Sequence, residues 1–523
     1  MEDKKRIRTR DDNYSYQGKT RRGPPIPEAP KPKIAKRKFD LSKIASSDFD
    51  ICAAKNIILS TPSQELVRAH ILLKCRDRYN SLVKHNISAF PPPESFNRLL
   101  FAMQTSEKEA VDPIIRDPDM TFTTDVLLDE IIPALPRFFK PRCTQLEVGL
   151  KVLDQVKQAV KDVLKDKCSD EILAQLFPKS PATPEEVVQE FNALKEKFPP
   201  LFRELLTEDL RNNVFIPLAD FMKASLAELG RISEGISCNV KVSFNGDTVL
   251  VAPNATNCSL DNSVTSTLSL SKVYYDKLKE MHRLSGSESK FEDDLYCLLR
   301  RYNTIFGGNA RSGTNFHSSL PESIFEFILR RCSTSTELFS SPLNNYFARY
   351  CSAFPDVDMP FGSIGSFYEV DIKSGSFQVC PPFTTQMMDT MAERVVALLD
   401  KTDKPLAFQI FVPEWRDPPS NYHDILDNTP YKQAVATFKR GEHYFVNGRQ
   451  FSAEIVEDAT ADEYNSGVSR LWLCRHTTLV YLLANEAGLE AFYNNDALSV
   501  ATSLENLMVG KDELPVSEEV CQF

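Results

Sequence analysis

From about residue 60 apolar positions recur at helical spacing. Leu66, Val67, Ile71, Leu72, Leu73 and Leu82 form one stripe, with Arg68, Lys74, Arg76 and Arg78 largely outside it. Just ahead, Thr61-Pro62-Ser63-Gln64 combines a capping hydroxyl, a proline at the first helical position and a glutamine three residues after the cap. That pattern satisfies amide groups that a helix start leaves unpaired. The same signal stands at Thr144–Glu147 and at Thr183–Glu186, ahead of apolar-periodic runs over 146–164 and 187–198. Residues 59–270 are therefore predicted to be a mostly helical domain. It carries one β-hairpin near 239–252: Val240–Phe244 alternates, Asn245-Gly246 turns and Thr248–Val251 returns. Residues 255–268, rich in Ser, Thr and Asn, read as a loop, and Val273–Arg301 reads as a helix.

Further along, the period changes repeatedly. Ser323–Arg331 is predicted as a helix, and Ser376–Val379 as a short strand running into Pro381-Pro382. Gln386–Asp400 is helical, with Met387, Met388, Met391, Val395, Val396, Leu398 and Leu399 on its apolar side. Leu406–Val412 and Thr477–Leu483 are continuous apolar strands. Strand, helix, buried strand is the grammar of an α/β layer with parallel strands. This α/β domain is placed at 271–490, with a tail over 491–523, and no internal repeat is visible.

Composition supports two packed domains: the chain has 523 residues, 42% of them hydrophobic. Residues 1–58 read as a disordered basic and proline-rich arm, with Lys4-Lys5-Arg6, Arg21-Arg22, Lys36-Arg37-Lys38 and the stretch Pro24–Pro32. Such clusters suit a nuclear-import signal, an RNA-binding arm or simply a solvated tail. Residues 1–40 carry a net +7, against −17 for the rest of a chain whose total is −10. An acidic body argues against non-specific wrapping of nucleic acid and leaves room for a local basic groove. Apolar runs such as Leu479–Ala484 fall far short of the roughly 18 residues that span a bilayer, so no membrane is expected. The charged start has no apolar segment behind it, so a nuclear or cytosolic location is expected, with nuclear favoured. Twelve scattered cysteines without a Cys-x-x-Cys pair support neither a disulfide framework nor a zinc finger, and no metal site is expected.

Several chemistries are absent from the sequence. There is no Gly-x-Gly-x-x-Gly, no P-loop, no serine nucleophile elbow and no His-Glu-x-x-His. His476, isolated before an apolar strand, reads as structural. The informative segment is Gly375–Phe383, a strand that ends at Cys380-Pro381-Pro382-Phe383 before a helix begins. Ligands of open α/β sheets sit at the carboxyl ends of strands. Amino methyltransferases place an Asn- or Asp-Pro-Pro-Phe/Tyr tetrapeptide there. An exocyclic amine delocalises its lone pair into the base and is a poor nucleophile. A side-chain oxygen and a backbone carbonyl that accept its two hydrogens favour a pyramidal nitrogen, and an aromatic ring stacks on the base. Prolines stiffen such a turn and leave carbonyls to accept. By itself the tetrapeptide reads first as a strand-ending turn.

The surrounding blocks resemble the phosphorylated C-terminal-domain-interacting factor family, the cap-specific adenosine methyltransferases. The likeness is carried by Arg301–Asn303 with Phe306-Gly307, Ser341–Asn344 with Tyr346-Phe347, Tyr350–Asp356 and Phe361–Ser363. It continues through Gly375–Phe377 with Pro381–Phe383, Phe411–Arg416 with Pro418-Pro419, and His476 with Thr478. A weaker likeness around Arg78-Tyr79 and Pro91–Arg98 extends it to about residues 60–490. The resemblance implies a Rossmann-like methyltransferase domain, preceded by the helical one, that uses S-adenosylmethionine. Its implied substrate is the 6-amino group of the 2′-O-methyladenosine next to the cap of mRNA. By position, Cys380, Pro381, Pro382 and Phe383 take the catalytic-loop roles, and Asn344, Phe354, Asp356, Phe361 and Gly362 the cofactor side. Arg68, Arg76, Arg78, Arg98, Arg311, Arg330 and Arg331 are the candidates for a basic RNA groove.

Two departures stand out. The family's Asn is Cys380 here, and a thiol is a weak acceptor. Losing one transition-state hydrogen bond costs about 10²–10³ in rate, which fits a slow enzyme and also a silent relative kept for RNA or partner binding. Family members also carry a WW domain, with two tryptophans about twenty residues apart. Here Trp415 and Trp472 are 57 apart and inside the α/β domain, so binding of the phosphorylated polymerase tail is not expected.

Overall fold

The computed structural model describes residues 50–52, 57–87, 91, 94–106, 112–116, isolated positions between 150 and 193, 210–256, 260, 264–307, 316–416, 420–455 and 469–508. The expectations for residues 1–49, the Thr144 start signal, Arg311 and residues 509–523 lie outside them.

Strand β1 (Asp50–Cys52) opens the described chain and pairs antiparallel with the strand at 371–379, so the arm expected over 1–58 ends in the sheet. Helix α1 (Pro62–Ile87) starts as the capping pattern predicts. The Thr61 amide donates to Gln64 Oε1 at 2.9 Å, and the Gln64 amide to Thr61 Oγ1 at 3.4 Å. The Thr183 signal forms too, with the Glu186 amide 3.2 Å from Thr183 Oγ1. Helices α2 (Ser95–Ala102) and α3 (Ile216–Glu234) follow. The hairpin forms as β2 (Ser237–Asn245) and β3 (Thr248–Thr256), turning at Gly246 with φ +57°. The expected 255–268 loop is shortened at its end by β4 (Leu268–Ser271), which joins β3. The single helix expected over Val273–Arg301 is two, α4 (Lys272–Ser285) and α5 (Phe291–Ile305). Gly286 ends the first at φ +70°, a left-handed cap that suits glycine.

These helices do not enclose a core of their own. Leu66, Ile71 and Tyr79 of α1 share one apolar cluster with the hairpin and with Tyr350, Phe354 and Phe361 of the following layer. At its centre Arg301, fully buried, holds Glu65 Oε1 at 2.7 Å and Asp356 Oδ1 at 2.9 Å. Arg68 pairs with Glu65 and, at 2.8 Å, with Asp112.

The layer itself is built from α6 (Glu322–Cys332), β5 (Thr336–Ser340), β6 (Arg349–Ser352), α7 (Pro355–Asp358), β7 (Asp371–Val379) and α8 (Thr385–Asp400). It continues with β8 (Leu406–Pro413), α9 (Asn421–Asn428), β9 (Lys432–Phe438), β10 (Tyr444–Val446), β11 (Leu471–Leu473), β12 (Thr478–Ala484), α10 (Glu486–Tyr493) and α11 (Ala497–Met508). The sheet runs β6-β5-β7-β8-β12-β9. β6, β5, β7 and β8 are parallel, whereas β12, expected among parallel strands, lies antiparallel to β8 and β9. The fold is thus α/β with a mixed sheet. The expected tail over 491–523 begins too early: α10 ends at Tyr493, and α11 buries Val500 and Leu504 against the sheet.

Helices cover both faces of the sheet. Met388, Met391 and Val395 of α8 pack with Phe408, Ile410 and Tyr481. Ile324 of α6 and Leu504 of α11 pack on the other side with Phe411, Val480 and Leu482. This explains why β8 and β12 are apolar throughout. The polar exception in β8, Gln409, is fully satisfied: it accepts from Thr334 Oγ1 at 2.7 Å and donates to Tyr493 Oη at 2.9 Å and Ser376 Oγ at 3.1 Å.

Candidate active site

From β5 the chain crosses to β6 on one side, and β7 lies on the other, so the carboxyl ends of β5 and β7 flank a topological switch point. A cavity of about 600 Å³ opens there. Its walls include the loop after β5, the loop after β7, the segment 94–104 around α2, residues 316–318 and 366–368, Trp415, and the β10–β11 hairpin with Arg475 and His476 behind it.

The loop after β5 is held by a buried carboxylate. Glu337 accepts the amides of Tyr346 at 2.7 Å and Phe347 at 2.9 Å. Burial pushes its carboxyl up to about 7, against the pull of those two amides. Asn344 folds the loop on itself: its Oδ1 accepts the Ser341 amide at 2.8 Å and its Nδ2 donates to the His317 carbonyl at 3.2 Å. His317 stacks on Tyr302 at 4.6 Å and shares a 2.7 Å hydrogen bond with Ser341 Oγ. Burial lowers its imidazole to about 3, so it is neutral, and its Nδ1 is buried without a partner among the described residues.

The loop after β7 is Cys380-Pro381-Pro382-Phe383. The Pro382 carbonyl accepts the Thr384 amide at 2.7 Å, and Thr384 Oγ1 caps α8 at the Met387 amide. The Phe383 carbonyl accepts Arg98 Nη1 at 3.0 Å. Two of the three loop carbonyls after Cys380 are therefore engaged. The Phe383 ring is wedged between near-perpendicular neighbours: His476 at 5.6 Å, Trp415 at 6.1 Å and Phe445 at 6.4 Å. Burial, with Glu337 and Cys474 nearby, pushes the Cys380 thiol up to about 12. It is protonated at neutral pH and has only a weak acceptor to offer.

The structure brings together Cys380, Pro381, Pro382, Phe383, Asn344 and Arg98, all of which line the cavity. Four residues expected on the cofactor side do not. Phe354 is core, packed on Phe101 and Tyr302. Asp356 is consumed by its ion pair with Arg301. Phe361 packs on His282 and Phe291, and Gly362, at φ +97°, ends the turn Met359–Phe361. A family-specific run encodes packing as readily as binding, and here packing accounts for these four.

Of the arginines expected in a basic groove, only Arg98 is gathered at this cavity among the described residues. Arg68 is buried in its ion pairs, and Arg76 donates to Asn97 Oδ1 at 2.8 Å and the Ile305 carbonyl at 2.6 Å. Arg78 is exposed on α1, while Arg330 and Arg331 are exposed on α6, and none of the three lines the cavity. Sequence reading missed Ser340, Ser341, His317, Phe445 and Trp472 as wall residues, and it placed His476 as structural although it abuts Phe383. The two tryptophans were the available signal, since both sit on the wall. No group of three or more potential metal ligands occurs among the described residues, and none of their helices is long and apolar enough to cross a membrane.

Comparison with known proteins agrees with the family resemblance read from the sequence. The chain is 27% identical over 431 residues to the human protein named mRNA (2′-O-methyladenosine-N(6)-)-methyltransferase, covering 74% of this chain and 60% of that protein. The mouse protein of the same name is 27% identical over 427 residues, with the same coverage. The chain thus spans about 60% of the length of these curated relatives. A family profile described as "Phosphorylated CTD interacting factor 1 WW domain" matches residues 270–448. That description corrects the expectation that no WW-domain likeness would be found. The matched residues fold as the helices and strands from β4 to β10, with Trp415 their one tryptophan.

Proposed function

We propose that this chain is an S-adenosylmethionine-dependent RNA methyltransferase. Its substrate would be the 6-amino group of a 2′-O-methyladenosine in mRNA, at the cap-adjacent position that the family resemblance implies. One observation carries the reading: the Cys380–Phe383 loop leaves β7 at the switch point and faces the β5 loop across a single cavity. We read the sheet, four parallel strands followed by an antiparallel β12 between β8 and β9, as a Rossmann-like methyltransferase sheet.

The residues on the β5 side fit the cofactor. The unpartnered Nδ1 of buried His317, the hydroxyls of Ser340 and Ser341, and the rings of Phe339 and Phe367 suit a molecule with an aromatic base, a ribose and an amino-acid end. When bound, S-adenosylmethionine supplies an electrophilic methyl group on a sulfonium. Phe383 stacks on the target adenine. The Pro381 carbonyl, which neither Thr384 nor Arg98 engages, accepts a hydrogen of the amine. The neutral Cys380 thiol is a poor second acceptor, so the loop orients the amine mainly through one bond. His476, which burial lowers to about 4, is uncharged at neutral pH and adds no charge beside the base. A nuclear location, supported by the basic clusters in residues 1–40, belongs to the same reading.

The test is methyl transfer from labelled S-adenosylmethionine to capped RNA beginning with 2′-O-methyladenosine, comparing the native chain with Cys380→Asn. Label in adenosine is expected for both, with the variant faster by about tenfold or more. Label with the variant alone would make the native chain a silenced relative. No label with either would remove the reading.

A further inference from the structure

We infer that Arg98 is a positioning residue of the Cys380–Phe383 loop, one that fixes which loop carbonyl meets the substrate amine. The inference rests on the methyltransferase reading for its consequence, but its structural part stands separately.

The loop has few hydrogen bonds of its own. Pro381 and Pro382 have no N–H, so the backbone there has no amide donors with which to knit a turn. The first amide anchor is that of Thr384, spent on the Pro382 carbonyl at 2.7 Å. The Phe383 carbonyl and the Thr384 amide are the two ends of one planar peptide: the amide end is tied to Pro382, and Arg98 Nη1, at 3.0 Å, ties the carbonyl end from outside the loop. It comes from a segment 285 residues away in sequence.

The support behind Arg98 is rigid. Every other residue of α2 is buried, and Arg98 lines the cavity together with Phe101 one turn on. Its backbone amide is bonded to the Glu94 carbonyl at 3.0 Å, and its guanidinium lies 5.6 Å over the Phe316 ring. Of the three carbonyls after Cys380, that of Phe383 is held by Arg98 and that of Pro382 by Thr384, which leaves that of Pro381 for the amine. A phosphate-binding arginine, as expected from sequence, would instead direct its donors outward to RNA. A guanidinium has five donors, so geometry alone permits both uses, and the two roles differ in what they change.

The experiment compares native chain, Arg98→Lys and Arg98→Ala by two readouts. The first is amide hydrogen exchange at Thr384, whose bond to Pro382 reports the loop. Exchange is expected to quicken about tenfold or more in Arg98→Ala and less in Arg98→Lys, with β7 and β8 unchanged. Unchanged exchange at Thr384 overturns the inference, whether or not the protein proves to be an enzyme. The second readout is steady-state methyl transfer across a salt series. A misplacement of about 1 Å at a reacting group costs about 10²-fold, so kcat should fall about 10- to 100-fold in Arg98→Ala. KM for RNA and its salt dependence should stay within about twofold, and Arg98→Lys should recover part of kcat. A raised KM with a shallower salt dependence and an intact kcat would make Arg98 a phosphate contact and overturn the inference. Absence of methyl transfer in the native chain removes the functional reading alone, and the exchange result still decides for Arg98. Should Arg98→Ala fail to fold, Arg98→Lys carries both readouts.

Discussion

Nη2 of Arg301 lies 2.7 Å from Oε1 of Glu65, 236 positions away in the sequence, with no solvent reaching the guanidinium. The pair joins α1 to α5, and Asp356 extends it to α7 at the rim of the sheet. A buried ion pair is expensive to desolvate, but removing one member strands the other without compensation. Glu65→Gln leaves Arg301 with Asp356 and Arg68 with Asp112, and should lower unfolding stability by about 3–5 kcal/mol. Equilibrium denaturation of the two proteins at neutral pH measures this, and a loss under about 1 kcal/mol would mean that the remaining partners suffice.

Two buried carboxylates give opposite pH dependences. For Glu65, burial favours the acid form, but Arg301 and Arg68 outweigh it and hold the carboxyl at about 2, below the ordinary value of 4.5. Its contribution is present above pH 4.5 and is lost as pH falls toward 2. For Glu337, burial dominates and raises the carboxyl to about 7. The folded state then holds a proton that the unfolded chain releases, so its contribution is full below pH 4.5 and is lost as pH rises through 7. Glu337→Gln, neutral at every pH, should therefore gain on the native protein by on the order of 2 kcal/mol between pH 4.5 and pH 8. Denaturation midpoints at the two pH values test the sign. A gap that does not widen with pH would show that Glu337 ionises normally.

Phe383 is held by three neighbouring rings and lines the cavity beside Trp415. Base–aromatic stacking contributes about 1–3 kcal/mol, so Phe383→Ala should lower kcat/KM for RNA about 10- to 100-fold, while Phe383→Tyr keeps most of it. Binding of S-adenosylmethionine, followed by calorimetry, should change less than about threefold, because its side of the cavity is built from the β5 loop. An equal loss of cofactor affinity would assign Phe383 to the wrong half of the site.

The sequence was most legible where an element's own residues decide its state. The reciprocal Thr61–Gln64 cap, the Asn245-Gly246 hairpin and the apolar runs of β8 and β12 all formed within a residue or two of expectation, apart from longer hairpin arms. Direction and partnership are not local properties. Nothing within Thr478–Ala484 distinguishes a parallel strand from an antiparallel one, because helices bury both faces either way. β5 was missed because its strand carries Thr336 and Glu337, polar residues buried for the sake of the loop that follows. At the site, the tetrapeptide was visible but its company was not. Arg98 reaches it from α2 and Trp472 from the β10–β11 hairpin, separations no motif records. The converse error came from Asp356 and Phe361, where a recognisable run served the core.

The place of β12 sets a timetable for biosynthesis. β8 is made well before Thr478, yet its neighbour in the finished sheet is β12, which must slide between β8 and β9. Until then both strands present open edges, and β8 is apolar enough to be a hazard on the ribosome. Arg475 and His476, just ahead of β12, close the cavity wall in the same step. A nascent chain that stops short of Trp472 therefore has the Cys380–Phe383 loop without the last wall of its cavity. Chaperone demand should therefore peak in the interval between β9 and β12.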